Sequence, residues 1–379
     1  MSIKSKYYQL PKEEFDTYLR NVKNAPSTRF FLTDTTHPYF YALSQETTSA
    51  LFGLKDTVKT FDAKVNQLSS FAKKQLLQSY LLDEIQSTNE IEQIQSTRYD
   101  IFSVINNAKD VADKKVISIA NSYSLLLSSG TSPLENLSDI RKVYDLLLEN
   151  AVEKKDLPEG QYFRKNSVFI TDGLDIIHAG IAEEEKINAA MEEFLSLYNA
   201  PMDSYEKMIL SHFILEIIHP FYDGNGRLGR YLFSKGIYNE TGSLSAFLVA
   251  RGFSRKKKQY YAAFRKAGEK HSFGCLNEFV ETMVSILEQE LQFAIEVIDS
   301  KLDEISALVL PDDATKSQQK IYKLLAESTI FSGYGVNNTE IQEHTGLSKR
   351  SVVNGITAFR EKGLLADTQV GHFVFHRLK

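Results

Sequence analysis

A tight turn between two helical stretches, at residues 219–226, constrains the fold of this chain more than any other feature. Apolar residues at helical spacing lead into it, including Ile209, Phe213 and Ile217. The turn reads His-Pro-Phe-Tyr-Asp-Gly-Asn-Gly, and helical spacing resumes over residues 227–233. The sequence therefore predicts that a helix, a turn and the start of a second helix follow one another within about a dozen residues.

The two glycines of this turn predict an anion-binding site. Gly224 and Gly226 flank Asn225 and permit positive φ, so consecutive N–H groups can point the same way. The N-terminus of the following helix adds partial positive charge. Arg227 and Arg230 lie three residues apart on one face of that helix, and guanidinium groups suit phosphate oxygens. Two arginines indicate a ligand with more than one phosphate.

Two further residues of the turn can carry chemistry. Asp223 can offer a carboxylate oxygen to Mg²⁺, which commonly bridges polyphosphates with few protein ligands. His219 is the nearby group that can accept a proton near neutral pH without a metal. A lone Gly-Asn-Gly would be better interpreted as a structural turn. A histidine, an aspartate and two arginines at this spacing instead favour a nucleotide site with a base, a metal ligand and a phosphate cradle.

Residues 219–230, HPFYDGNGRLGR, resemble the signature of the Fic family, HPFx(D/E)GNGRxxR, at every specified position. The resemblance implies a protein adenylyltransferase that moves AMP from Mg-ATP to a Ser, Thr or Tyr hydroxyl of a target protein or of the chain itself. His219 would deprotonate the attacking hydroxyl, and Asp223 would hold Mg²⁺. Relatives that act as kinases carry Lys at the second glycine, so Gly226 argues against kinase chemistry. UMP or another phosphate-linked group remains an open alternative.

The same resemblance assigns the phosphate contacts. Gly224, Asn225 and Gly226 would cradle the α-phosphate, while Arg227 and Arg230 would hold the β- and γ-phosphates. Chemistry of this type depends mainly on positioning the reactants and neutralising their charge.

A short hairpin and a pair of tyrosines are predicted to complete the site. Residues 162–171, followed by the turn pair Asp172 and Gly173, favour a β-hairpin. By resemblance, residues 162–177 are the flap that aligns the target by backbone pairing, with a plain structural hairpin as the alternative. Tyr260 and Tyr261 resemble the tyrosines that line the adenine pocket in relatives, although one of the two is expected only to pack in the core.

An upstream helix near residues 80–97 carries a second resemblance. Thr88 through Glu92 resembles the inhibitory motif (S/T)xxxE(G/N), which implies a salt bridge between Glu92 and Arg230. With Arg230 engaged, the γ-phosphate could not dock, and the enzyme would be autoinhibited. The match is incomplete because Gln93 stands where the motif has Gly or Asn. Some such relatives also remove AMP with the same glutamate, so AMP removal remains open.

The overall class is predicted to be mainly α: a Fic-type helical core with a short β-hairpin flap, plus a C-terminal winged-helix domain. The proposed division is an N-terminal helical region, a catalytic core and the winged-helix domain. The C-terminal pattern is three helices and a closing hairpin, similar to a winged helix-turn-helix. The domain ranges are 1–105, 106–295 and 310–379; the C-terminal elements are Lys316–Ser328, Thr339–Thr345, Ser348–Lys362 and residues 364–377.

The C-terminal domain could bind DNA or a protein partner. Residues 314–379 contain nine Lys or Arg and five Asp or Glu, whereas the whole chain has a net charge of −5. The likeness places Lys349, Arg350, Ser351 and Asn354 on the exposed face of a recognition helix. The alternatives are a surface for docking a protein and one for forming a homodimer. The competing overall function is a DNA-binding transcriptional regulator in which the Fic core senses nucleotide.

Composition excludes several other classes. The single cysteine, Cys275, allows no internal disulfide and no cysteine-based zinc site. The first residues lack the apolar stretch of a signal peptide, and no run approaches the roughly 20 apolar residues of a membrane span. We therefore expect a cytoplasmic protein with no membrane partner.

Overall fold

The computed structural model describes residues 3–33, 38–106, 114–128, 133–148, 151–171, 176–311 and 313–379. These residues are mostly helical with small antiparallel sheets, so the predicted mainly α class is confirmed. None of the described helices combines the length and apolar character needed to cross a membrane.

The described residues of the first part of the chain form five helices and one small sheet. Strands β1 and β2 pair antiparallel. The elements are α1 (Ile3–Gln9), α2 (Lys12–Lys23), β1 (Thr28–Phe31), β2 (Tyr39–Ala42), α3 (Gln45–Asn66), α4 (Ser70–Ile91) and α5 (Arg98–Ile105).

The middle of the chain contains eight further α-helices and the second sheet among its described residues. These elements are α6 (Lys114–Ser128), α7 (Leu137–Leu147), β3 (Phe169–Thr171), β4 (Ile176–Ala179), α8 (Glu184–Tyr198), α9 (Ser204–Ile218), α10 (Asn225–Thr241), α11 (Val249–Arg255), α12 (Lys257–Gly268) and α13 (Asn277–Ser306). One apolar core runs through this part and the preceding helices.

Helix α9 lies at the centre of this core. Twelve of its fifteen residues are buried, among them Ile209, Phe213 and Ile218, so apolar spacing alone could not mark one exposed face. The carboxylate of Asp203 caps its N-terminus by accepting from the N–H groups of Tyr205 and Glu206. Helix α9 ends at Ile218, and α10 begins at Asn225, so the predicted turn joins the two helices directly.

The hairpin is shorter than the sequence predicts. Strand β3 covers residues 169–171 and pairs with β4, whereas residues 162–168 form no strand. Their backbone is instead hydrogen-bonded to other parts of the core: the N–H of Arg164 donates to the carbonyl of Pro220 at 3.1 Å, and the N–H of Tyr162 donates to the Glu184 carboxylate at 2.9 Å. The turn pair Asp172 and Gly173 lies outside the described residues.

The C-terminal module, residues 316–378, has three helices and a three-stranded sheet in the order β5-β7-β6. Helix α14 is capped by Thr315, α15 by Asn337 and α16 by Ser348, and Gly346 (φ 68°) ends α15. The three predicted helices and the terminal hairpin are present, and β5 is an additional strand. The elements are α14 (Lys316–Phe331), β5 (Val336–Asn337), α15 (Asn338–Thr345), α16 (Lys349–Glu361), β6 (Leu365–Val370) and β7 (Phe373–Leu378).

Candidate active site

The turn between α9 and α10 is held in shape by the side chain of Asn225. Its Oδ1 accepts from the backbone N–H of Phe221 at 2.9 Å, and its Nδ2 donates to the Phe221 carbonyl at 2.8 Å. Asn225 is only 1% exposed. Both ends of the amide are therefore occupied within the turn. The α-phosphate contact of Asn225 stays a prediction, and its backbone N–H is the group that could make it.

His219 terminates α9 in a strained conformation. Its φ is 52° and its ψ is 62°, the left-handed region that costs a residue with a side chain about 1–2 kcal/mol. Its Nδ1 lies 3.3 Å from the carbonyl oxygen of Glu216. With the proton on Nδ1 donated to that carbonyl, Nε2 is the basic nitrogen. Strain of this kind is concentrated at functional sites.

Arg164, which the sequence analysis did not identify, fixes the backbone around His219. It is fully buried, and its guanidinium donates to four carbonyl oxygens: those of His219 (2.8 Å), Ile181 (2.7 Å), Ile218 (3.3 Å) and Asn166 (2.5 Å). Burial lowers the pKa of this guanidinium to about 10. Arg164 therefore joins the residues before β3 to the end of α9. A buried arginine paired only with carbonyls leaves no local sequence signal.

Helix α7 supports the turn from the other side. The ring of Phe221 stacks on Tyr144 with centroids 3.5 Å apart and planes 7° from parallel. The Tyr144 hydroxyl donates to the carbonyl of Asp223 at 3.1 Å. Backbone groups of the turn are thereby satisfied within the protein, and the turn is preorganised.

The two glycines of the turn have different conformations. Gly224 is the N-cap of α10 with φ 85°, as predicted, and no side chain caps the helix there. Gly226 lies inside α10 and does not adopt positive φ, so that part of the prediction is wrong. Gly226 instead allows a close approach, because a Cβ there would lie 2.3 Å from Oε1 of Glu92 and the carboxylate would have to shift. The uncapped first turn of α10 leaves N–H groups available to an anion.

Replacing Gly224 with alanine should destabilise the protein and weaken nucleotide binding. The new Cβ would lie 2.1 Å from Cδ1 of Leu148, in addition to the cost of positive φ. Gly242 (φ 64°) is a matched control, since a Cβ added there would meet no described atom within 4 Å. In urea unfolding we expect a loss of about 3 kcal/mol for Gly224→Ala and about 1 kcal/mol for Gly242→Ala. Equal losses would contradict this account of the turn.

Arg227 has unsatisfied donors next to the turn. It is 3% exposed, and its Nη2 donates to both carboxylate oxygens of Asp223 at 3.1 Å. Its Nε and Nη1 have no hydrogen-bond partner among the described residues. Leaving buried donors unpaired costs about 1–3 kcal/mol each, and phosphate oxygens are suitable acceptors. The unpaired donors therefore indicate an anionic ligand.

Asp223 is the only predicted metal ligand, and it is partly exposed. Its side chain is 41% accessible. No cluster of three or more His, Cys, Asp or Glu suited to a metal occurs in the described part of the chain. One accessible carboxylate beside the predicted phosphate-binding turn fits Mg²⁺ that arrives with a nucleotide and keeps phosphate and water ligands. It does not fit a metal held by protein side chains alone.

Arg230 is held by the upstream helix. It is 1% exposed; its Nη2 lies 2.5 Å from Oε1 of Glu92, and its Nε donates to Oγ1 of Thr88 at 2.8 Å. Burial alone would lower the pKa of Arg230, but attraction to Glu92 raises it above its usual value. The structure thus brings together the two sequence segments, 138 residues apart, that the resemblance connects.

The end of α4 has a geometry that explains the residue types preferred after the glutamate. Gln93 has φ 59°, and the N–H of Ile94 donates to the carbonyl of Asn89, which closes the helix. Gly and Asn adopt this left-handed conformation with less strain than Gln. Gln93 therefore keeps the turn that places Glu92, at some cost in backbone energy.

A second carboxylate, missed by the sequence analysis, lies near Arg230. Glu216 is one turn before His219 on α9, and a Cβ on Gly229 would lie 2.6 Å from its Oε1. Burial raises the pKa of Glu216 to about 7, while the charge of Arg230 acts to lower it. Its position in the last turn before His219 is the sequence signal that could have identified it.

The two tyrosines of α12 differ in accessibility. Tyr260 is 2% exposed; its hydroxyl lies 2.9 Å from Nε2 of His212, and its ring stacks on Phe253. Tyr260 is therefore a core residue and has no open ring face for adenine. Tyr261 is partly buried and lies in the electrostatic field of Glu92 and Arg230. The adenine contact stays a prediction, and Tyr261 is the more accessible of the two tyrosines.

The central part of the chain matches a known protein family. Residues 134–235 match the Fic/DOC family. The matched segment runs from α7 into α10 and includes Arg164, His219 and the turn at residues 219–226. Both the α4 helix and the C-terminal module lie outside this Fic-matching segment.

Two relatives extend the comparison. Over 72 residues the chain is 40% identical to a probable protein adenylyltransferase of Aquifex aeolicus. The aligned segment covers 18% of this chain and 19% of the relative. The chain thus aligns with about a fifth of that relative. A Fic family protein from Desulfovibrio desulfuricans has a similar crystal structure, with TM-score 0.58, 19% identity, and coverage of 89% of this chain and 97% of that one. At this identity the likeness shows the fold alone.

Proposed function

We propose that the chain is a protein adenylyltransferase that transfers AMP from Mg-ATP to a hydroxyl side chain of a protein. The observation that carries the proposal is Arg227, a buried arginine with two unpaired donors, among the described residues, at the uncapped start of α10. An anion of several phosphates satisfies both features. The match of residues 134–235 to the Fic/DOC family and the relative named a probable protein adenylyltransferase support the choice of reaction.

In this proposal His219 is the general base. Its Nε2 accepts the proton of the target hydroxyl, whose oxygen attacks the α-phosphorus of ATP while the bond to the bridging oxygen breaks and pyrophosphate leaves. Backbone N–H groups of Gly224 to Gly226 hold the α-phosphate, and Arg227 binds the following phosphates. Because Arg164 fixes the backbone of His219, the base is positioned before the substrate arrives.

Asp223 would hold Mg²⁺ together with the phosphates of ATP. The metal supplies charge neutralisation along the polyphosphate. Asp223 also keeps Nη2 of Arg227 in place through its two carboxylate oxygens. Asp223 would then position both Mg²⁺ and the Arg227 guanidinium.

The Glu92 contact makes the resting form inactive in this proposal. Arg230 is saturated by Glu92 and Thr88, so it is not available to the γ-phosphate. Without a contact between Arg230 and the γ-phosphate, ATP cannot be held with its α-phosphorus in line for attack. Removal of AMP, with Glu92 positioning a water molecule, is a second reaction that the same arrangement permits.

The proposal is tested with ATP labelled at either the α- or the γ-phosphate. Glu92→Gly protein is incubated with Mg²⁺ and each label, alone and with a cell lysate. We expect covalent α-label on protein and release of pyrophosphate. Covalent γ-label in the incubation without lysate would indicate a kinase instead, and the absence of α-label from both incubations would contradict nucleotidyl transfer.

The C-terminal module has a second candidate function, as a winged helix-turn-helix that binds DNA while the Fic core senses nucleotide. The observation that favours it is that Lys349, Arg350 and Asn354 are exposed on α16. We expect a gel shift of duplex DNA at low salt that is weakened by Lys349→Ala and Arg350→Ala but not by Lys320→Ala on α14. No shift at low salt would exclude DNA and leave protein docking or dimerisation.

A further inference from the structure

The turn that carries Glu92 is the tip of a helical hairpin formed by α4 and α5. Glu92 caps the C-terminus of α4, and α5 begins at Arg98. Arg98 binds Asp83 at 2.8 Å and donates to the Ser79 hydroxyl at 3.0 Å, which ties α5 to α4. The two helices therefore position Glu92 together.

The N-terminal end of α4 is built into the C-terminal module. Phe71, 3% exposed, belongs to the module's apolar core, and every other buried member of that cluster lies between residues 321 and 365. Its ring packs edge-on against His344 with centroids 4.7 Å apart. Just before the helix, the Ser69 hydroxyl donates to Glu327 at 3.0 Å. One helix thus joins the module's core to the inhibitory contact.

Helix α5 contacts the same module independently. The Phe102 ring stacks on Tyr334 with centroids 4.2 Å apart and planes 12° from parallel, and it meets Phe375 edge-on at 5.1 Å. Tyr99 donates from its hydroxyl to the carbonyl of Gln369 at 3.4 Å. Both sides of the hairpin are therefore in contact with the C-terminal module.

The middle of α4 is anchored to the core. The Glu84 carboxylate accepts from the N–H of Ala250 at 2.8 Å and from the Ser234 hydroxyl at 3.0 Å. Ser234 lies on α10, the helix that carries Arg230. The anchor is a fixed point between Phe71 at one end of α4 and Glu92 at the other.

We infer that the C-terminal module sets the strength of the Glu92–Arg230 contact, so that a ligand or partner that shifts the module changes AMP transfer. The inference rests on the proposed function. A 22-residue helix is a rigid element of about 33 Å, and packed side chains transmit displacement because they have no free volume. Phe71, Phe102 and Tyr334 are the contacts through which the module acts. The coupling is reciprocal, so nucleotide in the site would also change ligand affinity at the module.

Tyr334→Ala tests the coupling. The substitution removes the ring that stacks on Phe102, while Tyr334 itself is only partly buried. We expect AMP incorporation to rise about fivefold or more over the wild-type protein. Hydrogen exchange of the amides in residues 88–97 should become faster, which gives a readout that does not depend on catalysis.

Tyr322→Ala is the matched control. Tyr322 is also partly buried in the module, but its ring packs on Phe359 inside the module. It should leave both AMP incorporation and exchange of residues 88–97 at the wild-type values. Equal effects of the two variants would overturn the inference, because loss of module stability alone would then account for both.

A double variant separates failure of this inference from failure of the proposed function. In the Glu92→Gly protein, Tyr334→Ala should add nothing, since the inhibitory contact is already absent. If the Glu92→Gly protein is active but the Tyr334→Ala single variant stays at the wild-type rate, the coupling alone is overturned. No activity in any variant would overturn the proposed function, and exchange of residues 88–97 would still decide the coupling. If Tyr334→Ala does not fold, Tyr334→Leu serves in its place.

Discussion

Glu92→Gly should raise the rate of AMP incorporation by about a hundredfold. The substitution removes the carboxylate that lies 2.5 Å from Nη2 of Arg230 and frees this guanidinium for the γ-phosphate. Breaking a buried ion pair changes the free energy by about 3–5 kcal/mol, and each 1.4 kcal/mol corresponds to a factor of ten. The Glu92 side chain is 30% exposed, so the lower end of this range applies. The measurement is the initial rate of α-label incorporation at saturating Mg-ATP.

The matched control for this variant is Glu90→Gly. Glu90 lies in the last turn of the same helix, but it is exposed, and its carboxylate accepts from the Ser254 hydroxyl at 3.2 Å. Glu90 is inside the helix and Glu92 is its C-cap, so glycine costs more helix propensity at Glu90, and a general loosening of α4 would activate Glu90→Gly at least as much as Glu92→Gly. Activation by Glu90→Gly equal to that by Glu92→Gly would show that helix stability, and not the ion pair, controls the rate.

His219→Ala in the Glu92→Gly protein should lower AMP transfer by about a thousandfold. A positioned general base contributes about 10²–10⁴-fold, and alanine also removes the ring whose Nδ1 lies 3.3 Å from the Glu216 carbonyl. ATP affinity, measured by calorimetry, should change little because the phosphates are bound by α10 and its arginines. The free energy of unfolding should change only modestly, since His219 is partly exposed.

His372→Ala is the control for loss of an imidazole. His372 is exposed between β6 and β7, in the C-terminal module. This variant should transfer AMP at the rate of its Glu92→Gly parent. Retention of transfer by the His219→Ala variant would contradict a base at His219, whereas loss of ATP binding would indicate that His219 shapes the phosphate site.

The sequence predicted the residues that are local to the turn, because their chemistry follows from spacing along the chain. Gly224 has the expected positive φ, and Arg227 lies at the start of the new helix. Gly226 differs because it lies inside the helix, where Glu92 approaches it closely from α4. A contact of that kind depends on tertiary packing and cannot be inferred from a two-glycine pattern.

The residues that the sequence did not identify act through distant backbone groups. Arg164 binds carbonyl oxygens from two other segments. Among the described residues it forms no ion pair with a carboxylate that the sequence could have suggested. Adjacent residues on a helix point in different directions, but the sequence does not show which direction faces the core. Tyr260 therefore could not be distinguished from Tyr261. The Glu92–Arg230 contact was predicted through resemblance, since spacing alone does not join residues so far apart in the chain.

The most direct test of AMP transfer is the intact mass of Glu92→Gly protein after incubation with Mg²⁺ and an equal mixture of ATP, GTP, CTP and UTP. The account predicts a mass increase of one adenylyl group, mapped by fragmentation to a Ser, Thr or Tyr. The same increase should be absent from the protein that also carries His219→Ala. An increase of one phosphate or of one uridylyl group, or an adenylyl group that persists after His219→Ala, would contradict the account.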